Sequence, residues 1–347
     1  MSDESELREP DQLEGVKLPE YQAVPIGHAA ARANLAAQLQ DGRLPGGVLI
    51  HGPQGIGKAT LAFDLARRIF MRTGDEESDH IFAQVAAGAY PNLRVLRRRP
   101  RETGKGFYTV IRVEEVRELI DRLRKTRGRA GHRVVIVDAI DDCNASSANA
   151  LLKILEEPPA DTLFLLISHR PGQLLPTIKS RCHQLALRPL IDEDVREVLA
   201  RGTPAMDAAA LDRAVALAGG RPRRGFEALL MTDIGSLSAL KSWLDDPARP
   251  PAAIPLAIAD ALGSDRDGAT ARFAREMVLD WIAAEARIAA NAGARTRLAS
   301  ANELWDKAHA LFADADEYNL DTRQTLIALF DAIRRHVQSQ ASLTEPT

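Results

Sequence analysis

Short apolar runs alternate with longer amphipathic stretches over residues 24–190. Five runs stand out, of which the last is the weakest: residues 48–50, 93–96, 134–137, 163–167 and 184–187. Uninterrupted runs of this length are typical of strands buried on both faces of a parallel sheet. The stretches between them have helical spacing, as Leu61, Leu65 and Ile69 show after the first run. The alternation predicts an α/β domain whose parallel sheet is flanked by helices.

The strand pattern fades after Pro189, and helical spacing continues alone. The predicted helical segments are residues 192–201, 208–218, 226–231, 257–262, 299–312 and 322–337, with a long stretch through Trp281 to residue 290. The Pro-rich residues 245–255 are typical of a hinge or linker. We therefore predict a flexible tail at 1–21, an α/β domain at 22–190, a small helical domain at 191–244 and an all-α domain at 256–340.

The composition is that of a soluble globular protein, with 45% hydrophobic and 27% charged residues. The net charge of −3 gives no global basic signature for nucleic acid. Two local basic clusters, at residues 94–105 and 122–133, could be solvated faces or contacts for a phosphate backbone or an acidic partner. Cys143 and Cys182 lack the spacing of a zinc site. Without an apolar run of 18 residues, neither a transmembrane helix nor a secretory signal is expected.

Residues 51–61, HGPQGIGKATL, contain most of a phosphate-binding loop. The candidate phosphate-binding residues are Gly52, Gly55, Gly57 and Lys58. Glycines let the backbone wrap a polyphosphate, and the lysine would reach the outer phosphates. Ala59 stands where a Ser or Thr hydroxyl should bind Mg²⁺, and Thr60 cannot replace it because its side chain points about 100° away on the helix. The loop therefore suggests descent from an ATPase that has lost a metal ligand.

A second nucleotide-site element ends the run 134–137. Asp138 follows four apolar residues, as the Walker B carboxylate that assists Mg²⁺ does. Related ATPases place a glutamate next to polarise the attacking water, and Ala139 occupies that position here. Two parts of a hydrolytic site are thus missing, which argues against hydrolysis.

Three further motifs are more distinctive than either nucleotide-site element. They are NALLKILEEPP at 149–159, LLISH at 165–169 and LPTIKSRC at 175–182. These residues resemble the clamp-loader branch of the AAA+ family. The resemblance covers nearly the whole chain, from PIGH at 25–28 to YNLD at 318–321 and the helix after it. It implies an α/β P-loop AAA+ domain, a helical lid and an all-α C-terminal collar that holds a ring together.

The resemblance also implies roles for individual residues. Arg181 would be an arginine finger that completes the ATP site of a neighbouring subunit, because a planar guanidinium suits the charge on a transferring phosphoryl group. The alternative is a structural pair with a local carboxylate. Ser168 takes the position of a sensor for the γ-phosphate, as a relic or a functional group. Arg224 aligns loosely with a second sensor, although Arg221 replaces the family's usual small residue. With Asp138 and the loop, these residues form a degenerate nucleotide site.

The implied function is that of a stator-like, largely non-hydrolysing subunit of the bacterial DNA polymerase III clamp loader. Such a subunit would join gamma/tau and delta subunits in a cytoplasmic, nucleoid-associated replisome and help to load the sliding clamp on primed DNA. It would belong to a DNA-directed DNA polymerase holoenzyme without independent ATPase activity. The alternative is an active AAA+ motor subunit of gamma/tau type.

The resemblance leaves the cofactors partly open. ATP or ADP could bind without hydrolysis, and no metal is expected. Many relatives carry a four-cysteine zinc module after the loop helix, but residues 71–91 contain no cysteine. We therefore predict no zinc in this segment.

Overall fold

The computed structural model describes residues 9–74, 76–125, 129–231, 234–249, 251, 253–264 and 268–344, with side chains as far as residue 339. The chain divides into two compact units, Met1–Leu229 and Leu230–Thr347. The division precedes the Pro-rich residues 245–255, which therefore lie inside the second unit.

The first unit alternates strands and helices. Its strands are β1 (Gly47–His51), β2 (Leu93–Leu96), β3 (Arg133–Asp138), β4 (Thr162–Ser168) and β5 (His183–Ala186). Its helices are α1 (Ala29–Gln40), α2 (Lys58–Thr73), α3 (Ser78–Ala86), α4 (Val113–Arg124), α5 (Ala145–Glu156), α6 (Pro176–Arg181), α7 (Asp192–Gly202), α8 (Ala208–Ala218) and α9 (Pro222–Leu230), the last of which ends at the division. All five predicted strands are confirmed, whereas α1, α3 and α6 had no predicted counterpart.

The five strands form one parallel sheet in the order β2-β3-β4-β1-β5. Val48 and Ile50 of β1 pack in a core that includes Phe63 and Phe70 of α2. Leu49, on the opposite face of the same strand, packs with residues of α4 and α5 such as Leu151. Both faces of the sheet are therefore covered, which explains why β1, β3 and β4 are almost continuously apolar, whereas β5 at the edge of the sheet is mostly exposed and partly polar.

The carboxyl ends of the three central strands meet at one edge. His51 at the end of β1 is in register with Ser168 at the end of β4, and Asp138 at the end of β3 is in register with Ile167. The chain order reverses between β1 and β4, and ligands of open α/β sheets bind outside the carboxyl ends at such a switch point. The fold thus brings the loop, Asp138 and Ser168 to one place.

The second unit is helical where it is described. Its helices are α10 (Gly235–Asp245), α11 (Ala253–Gly263), α12 (Ala269–Asn291), α13 (Arg295–Tyr318) and α14 (Thr322–Thr344). Trp243 of α10 is fully buried, with its ring 4.7 Å from that of Phe330 in α14. Residues 235–244 were predicted as part of the small helical domain, but α10 belongs to the C-terminal unit. No described helix of the chain is both long and apolar enough to span a bilayer.

The N-terminal segment, defined here as residues 9–20, lies against the first unit. Arg67 of α2 donates hydrogen bonds to the carbonyls of Glu20 (3.2 Å) and Gln22 (2.7 Å). Arg97, after β2, forms ion pairs with Glu9 and Glu20 at 3.2 Å each. The predicted flexible tail falls partly on residues 1–8, which are outside the described residues, and it does not hold for residues 9–21.

Candidate nucleotide-binding site

The phosphate-binding loop joins β1 to α2 and depends on its glycines. Gly52 has a φ of 150°, and a Cβ there would lie 2.4 Å from the carbonyl oxygen of Leu187. Gly55 has a φ of 81°, and a Cβ there would lie 2.6 Å from the Cβ of Arg223. His28, before α1, supports the loop because its Nε2 lies 2.8 Å from the Ile56 carbonyl oxygen. His28 is not among the predicted site residues, although it belongs to the PIGH motif.

Lys58 begins α2 and is turned onto its own loop. Its Nζ donates to the carbonyls of Gly52 (2.7 Å) and Pro53 (2.6 Å), and the residue is almost fully buried. Burial lowers the pKa of Lys58 to about 7, although the carboxylates of Asp138 and Asp141 oppose that shift. An anion in the loop would restore the charge on Lys58 and compete with these carbonyls for its ammonium group.

Asp138, predicted as a Walker B carboxylate, is paired with an arginine. The Nε of Arg97 lies 3.1 Å from Asp138 Oδ2, and Arg97 also pairs with Glu9 and Glu20. Burial opposes the charge of Arg97, but the carboxylates of Asp138, Glu20 and Glu9 outweigh it and raise its pKa. Because a guanidinium stays charged at any ordinary pH, Asp138 carries a permanent cation on the side where an ATPase needs Mg²⁺.

Ser168 is hydrogen-bonded to a carboxylate that is not among the predicted site residues. Its buried Oγ donates to Asp141 Oδ1 at 3.0 Å. Asp141 also accepts the backbone N–H groups of His169 (2.6 Å) and Arg170 (3.0 Å). Asp141 therefore accepts hydrogen bonds from the residues at the end of β4. A γ-phosphate would have to compete with Asp141 for the Ser168 hydroxyl. The only hint of this role in the sequence is the acidic pair at 141–142, which follows Asp138 closely.

Arg223, rather than the predicted Arg224, lines the site. The backbone N–H of Arg223 donates to the Gly55 carbonyl at 3.2 Å, and its side chain pairs with Glu227 at 2.9 Å. Arg224 is buried, and its guanidinium lies near Gly219. The residue predicted as the second sensor is therefore one position after Arg223, whose side chain lies against the loop.

Part of this set borders a cavity of about 540 Å³, whereas Gly52, Ser168 and Asp141 lie outside its wall. Its wall includes Gly57, Lys58, Ala59, Asp138 and His169, and the N-terminal segment forms another side. The volume lies in the usual range for small-molecule sites, roughly 300–1,000 Å³. Ala59 presents no oxygen to the cavity. Thr60 also borders it.

Arg181 lies at the end of the sheet where the strands begin, opposite to the carboxyl ends that carry the loop. His183 is in register with Val48, near the start of β1, whereas the loop begins where β1 ends. At about 3.3 Å per residue, the length of β1 separates Arg181 from its own loop by roughly 15 Å. Its guanidinium pairs with Glu156 at 2.5 Å and donates to the Thr177 carbonyl at 3.0 Å, on the surface. Arg181 thus has a local carboxylate partner and lies far from its own nucleotide site.

The first basic cluster is largely neutralised by carboxylates of the same unit. Beyond the Arg97 pairs, Arg98 pairs with Asp11 (3.3 Å) and Asp142 (2.9 Å), and Arg99 pairs with Glu118 (2.9 Å). In the second cluster Arg122 shares Glu118, while Arg127 lies outside the described residues. Contact of either cluster with DNA stays a prediction.

The cysteine-free residues 71–91 fold around an aromatic stack. The rings of Phe70 in α2 and Tyr90 lie 4.1 Å apart and are both buried, with α3 between them in the chain.

Burial raises the pKa of Cys143 to about 12 and that of Cys182 to about 11, so both thiols stay protonated at neutral pH. Among the residues that the structure describes, no group of three or more His, Cys, Asp and Glu side chains could hold a metal ion.

The α/β part of the chain matches a known protein family. Residues 27–191 fit the family model described as DNA polymerase III, delta subunit. Over these residues the chain is similar to that family. The delta' subunit of DNA polymerase III from Pseudomonas aeruginosa is 42% identical over 179 residues, which are 50% of this chain and 52% of that protein. The gamma/tau subunit from Mycobacterium bovis is 31% identical over 184 residues, 51% of this chain and 30% of that protein.

The chain spans about half the length of the delta' relative that it matches, and the family model covers residues 27–191 of the α/β part. A solved gamma subunit-related protein from Thermotoga maritima covers 88% of this chain and 99% of its own, with 16% identity and a TM-score of 0.41. A similarity this low carries no argument, and the α/β fold rests on the strand order itself.

Proposed function

We propose that this protein is a delta'-type, stator-like subunit of the DNA polymerase III clamp loader. It would assemble with gamma/tau and delta subunits in the cytoplasm, near the nucleoid, and help to place the sliding clamp on primed DNA. Its own loop would bind ATP or ADP weakly, or not at all, and would not hydrolyse them. The family match of residues 27–191 supports the complex, and the state of the nucleotide site supports the stator role.

One observation carries the non-hydrolysing role: the Arg97–Asp138 ion pair beside Ala59. Hydrolysis of ATP by a P-loop ATPase requires Mg²⁺ held by a hydroxyl of the loop and assisted by the Walker B aspartate. Here the hydroxyl is missing, and the aspartate is neutralised by a guanidinium. The metal would therefore have to displace an arginine and would still lack a ligand from the loop.

The position of Arg181 supports action on a neighbour. A finger must reach a γ-phosphate, and the β1 register puts Arg181 at the sheet edge away from its own loop. Its pair with Glu156 is exposed, so the guanidinium can leave that partner at little energetic cost. We infer that Arg181 exchanges Glu156 for a phosphate when a motor subunit docks.

Assembly and hydrolysis of ATP test the proposal together. The purified chain is mixed with gamma/tau and delta subunits of its own source, and complex formation is followed by size-exclusion chromatography and clamp loading on primed DNA. ATPase activity of the isolated chain is measured in Mg²⁺ beside the Lys58→Ala variant. We expect a complex that loads clamps and an isolated chain at background activity.

Mg²⁺-dependent turnover that disappears in Lys58→Ala would instead identify a motor subunit of gamma/tau type. Failure to join the other two subunits under any nucleotide condition would remove the clamp-loader assignment itself.

A further inference from the structure

The acidic N-terminal segment borders the nucleotide cavity and is held there by arginines. Residues 9–13 and 15–19 of the chain line the same cavity as Lys58 and Ala59. Glu9 pairs with Arg97, the residue that also holds Asp138, and Asp11 pairs with Arg98. The Asp11 carbonyl accepts a hydrogen bond from Arg223, whose backbone in turn contacts the loop at Gly55.

Three arginines around the loop are thus engaged with the N-terminal segment. Arg97, Arg98 and Arg223 are the kind of groups that bind polyphosphate, because a guanidinium donates paired hydrogen bonds to phosphate oxygens as readily as to carboxylates. The Glu9 carboxylate pairs with Arg97 and the Asp11 carboxylate with Arg98 in the manner of phosphate groups, whereas Arg223 is held by the Asp11 backbone carbonyl. A nucleotide entering the loop would meet these two negative charges as well as Asp138.

We propose that the N-terminal segment is an autoinhibitory strap that occupies the arginines of the loop as a phosphate mimic and competes with nucleoside triphosphates. The inference rests on the proposed function in one respect, since the loop must keep an affinity for nucleotide that the strap lowers.

The carboxylates of the N-terminal segment belong to the same chain as the arginines, so they compete effectively with free nucleotide for them. Residue 20 leads within a few residues to α1, and its backbone is fastened to Arg67, so the carboxylates stay close to the loop. A short tether gives a bound group an effective concentration in the millimolar range, on the order of cellular nucleotide. Release of the strap would free Arg223 and remove the carboxylates of Glu9 and Asp11 from the cavity wall, while Arg97 would keep its pair with Asp138. The cavity would therefore become more positive.

The test measures binding of ATP in EDTA to the full chain by isothermal titration calorimetry. Two variants release the strap: the double variant Glu9→Gln/Asp11→Asn, and deletion of residues 1–12, which also removes the Asp11 carbonyl from Arg223. Glu14→Gln is the matched control, because Glu14 lies on the same segment and is exposed. Neither released variant alters the loop, Asp138 or Arg97, and thermal melting verifies that each is folded.

We expect both released variants to bind ATP at least about tenfold more tightly than the wild-type chain, since the binding-competent fraction rises. Adding Lys58→Ala to the double variant should abolish the gain, and Glu14→Gln should leave the affinity unchanged. Equal affinity in the wild-type chain and both released variants overturns the strap, as does absence of binding in all of them. Neither result affects assembly with gamma/tau and delta, so failure of the strap and failure of the clamp-loader assignment remain distinguishable.

Discussion

Lys58 makes nucleotide affinity depend on pH at the residue scale. Burial lowers its pKa to about 7, so the free site loses the ammonium charge as the pH rises above 7. A bound phosphate stabilises that charge, and each pH unit above the pKa of the free site should weaken binding up to about tenfold until the pKa of the bound state is reached.

Titration of the released double variant with ATP in EDTA between pH 7 and pH 9 measures this dependence. Lys58→Met should bind weakly and without a slope in that range. A flat profile in a chain that keeps Lys58 would show that the lysine stays charged in the free site.

Arg181 is the second residue whose role can be separated from folding. Its pair with Glu156 is exposed, and such pairs contribute about 0–1 kcal/mol, so Arg181→Ala should fold and assemble normally. Loss of an arginine finger costs on the order of 10³-fold at the site it serves. A ring with several motor sites would show a smaller loss of total ATPase activity and a larger loss of clamp loading.

Arg181→Lys should rescue clamp loading poorly, because an ammonium cannot reproduce the planar guanidinium. Glu156→Gln is the control, since it removes the local partner and keeps the finger. Normal clamp loading by an assembled Arg181→Ala complex would leave Arg181 a purely structural residue.

At the element scale, the cysteine-free residues 71–91 pack against a buried aromatic stack, and the prediction that they bind no zinc can be tested there. The Phe70–Tyr90 stack is buried beside α3, so Tyr90→Ala should lower the free energy of unfolding by about 3 kcal/mol through the cavity it leaves. A chelator should leave the thermal midpoint of the wild-type chain unchanged. Tyr318→Ala, at a residue that is 64% exposed, is the matched control. A chelator-induced drop in the midpoint would reveal a metal in the folded chain.

At the scale of the whole molecule, the division between the two units predicts which truncated chains will fold. Helix α10 buries Leu237, Leu240 and Trp243 within the C-terminal unit. A fragment that ends at Leu229 should therefore be soluble and folded, whereas one that ends at Asp246 carries α10 without its partners and should aggregate. Neither should join a clamp-loader ring, because both lack the predicted collar.

Circular dichroism and light scattering of the two fragments distinguish these outcomes. A well-behaved fragment 1–246 beside an unstable fragment 1–229 would place α10 with the first unit. Stable assembly of either fragment would show that the C-terminal helices are not the collar.

The sequence by itself determined the elements whose physical cause is local. Strands buried on both faces must be continuously apolar, so β1, β3 and β4 could be predicted directly, whereas the mostly exposed β5 gave the weakest signal. The loop could be read as well, because its glycines adopt backbone conformations that other residues avoid. Ala59 and Ala139 revealed the missing metal hydroxyl and water-activating carboxylate by identity alone.

Only the tertiary structure decided which charges meet. Arg97 contacts Asp138 across 41 residues of sequence and Glu20 across 77, and Ser168 reaches Asp141 across 27. Charged side chains have no periodic signature, and their partners depend on how strands order themselves in the sheet. The same limit hid the N-terminal segment, because its acidic composition is typical of a free tail until the arginines of the loop are placed beside it.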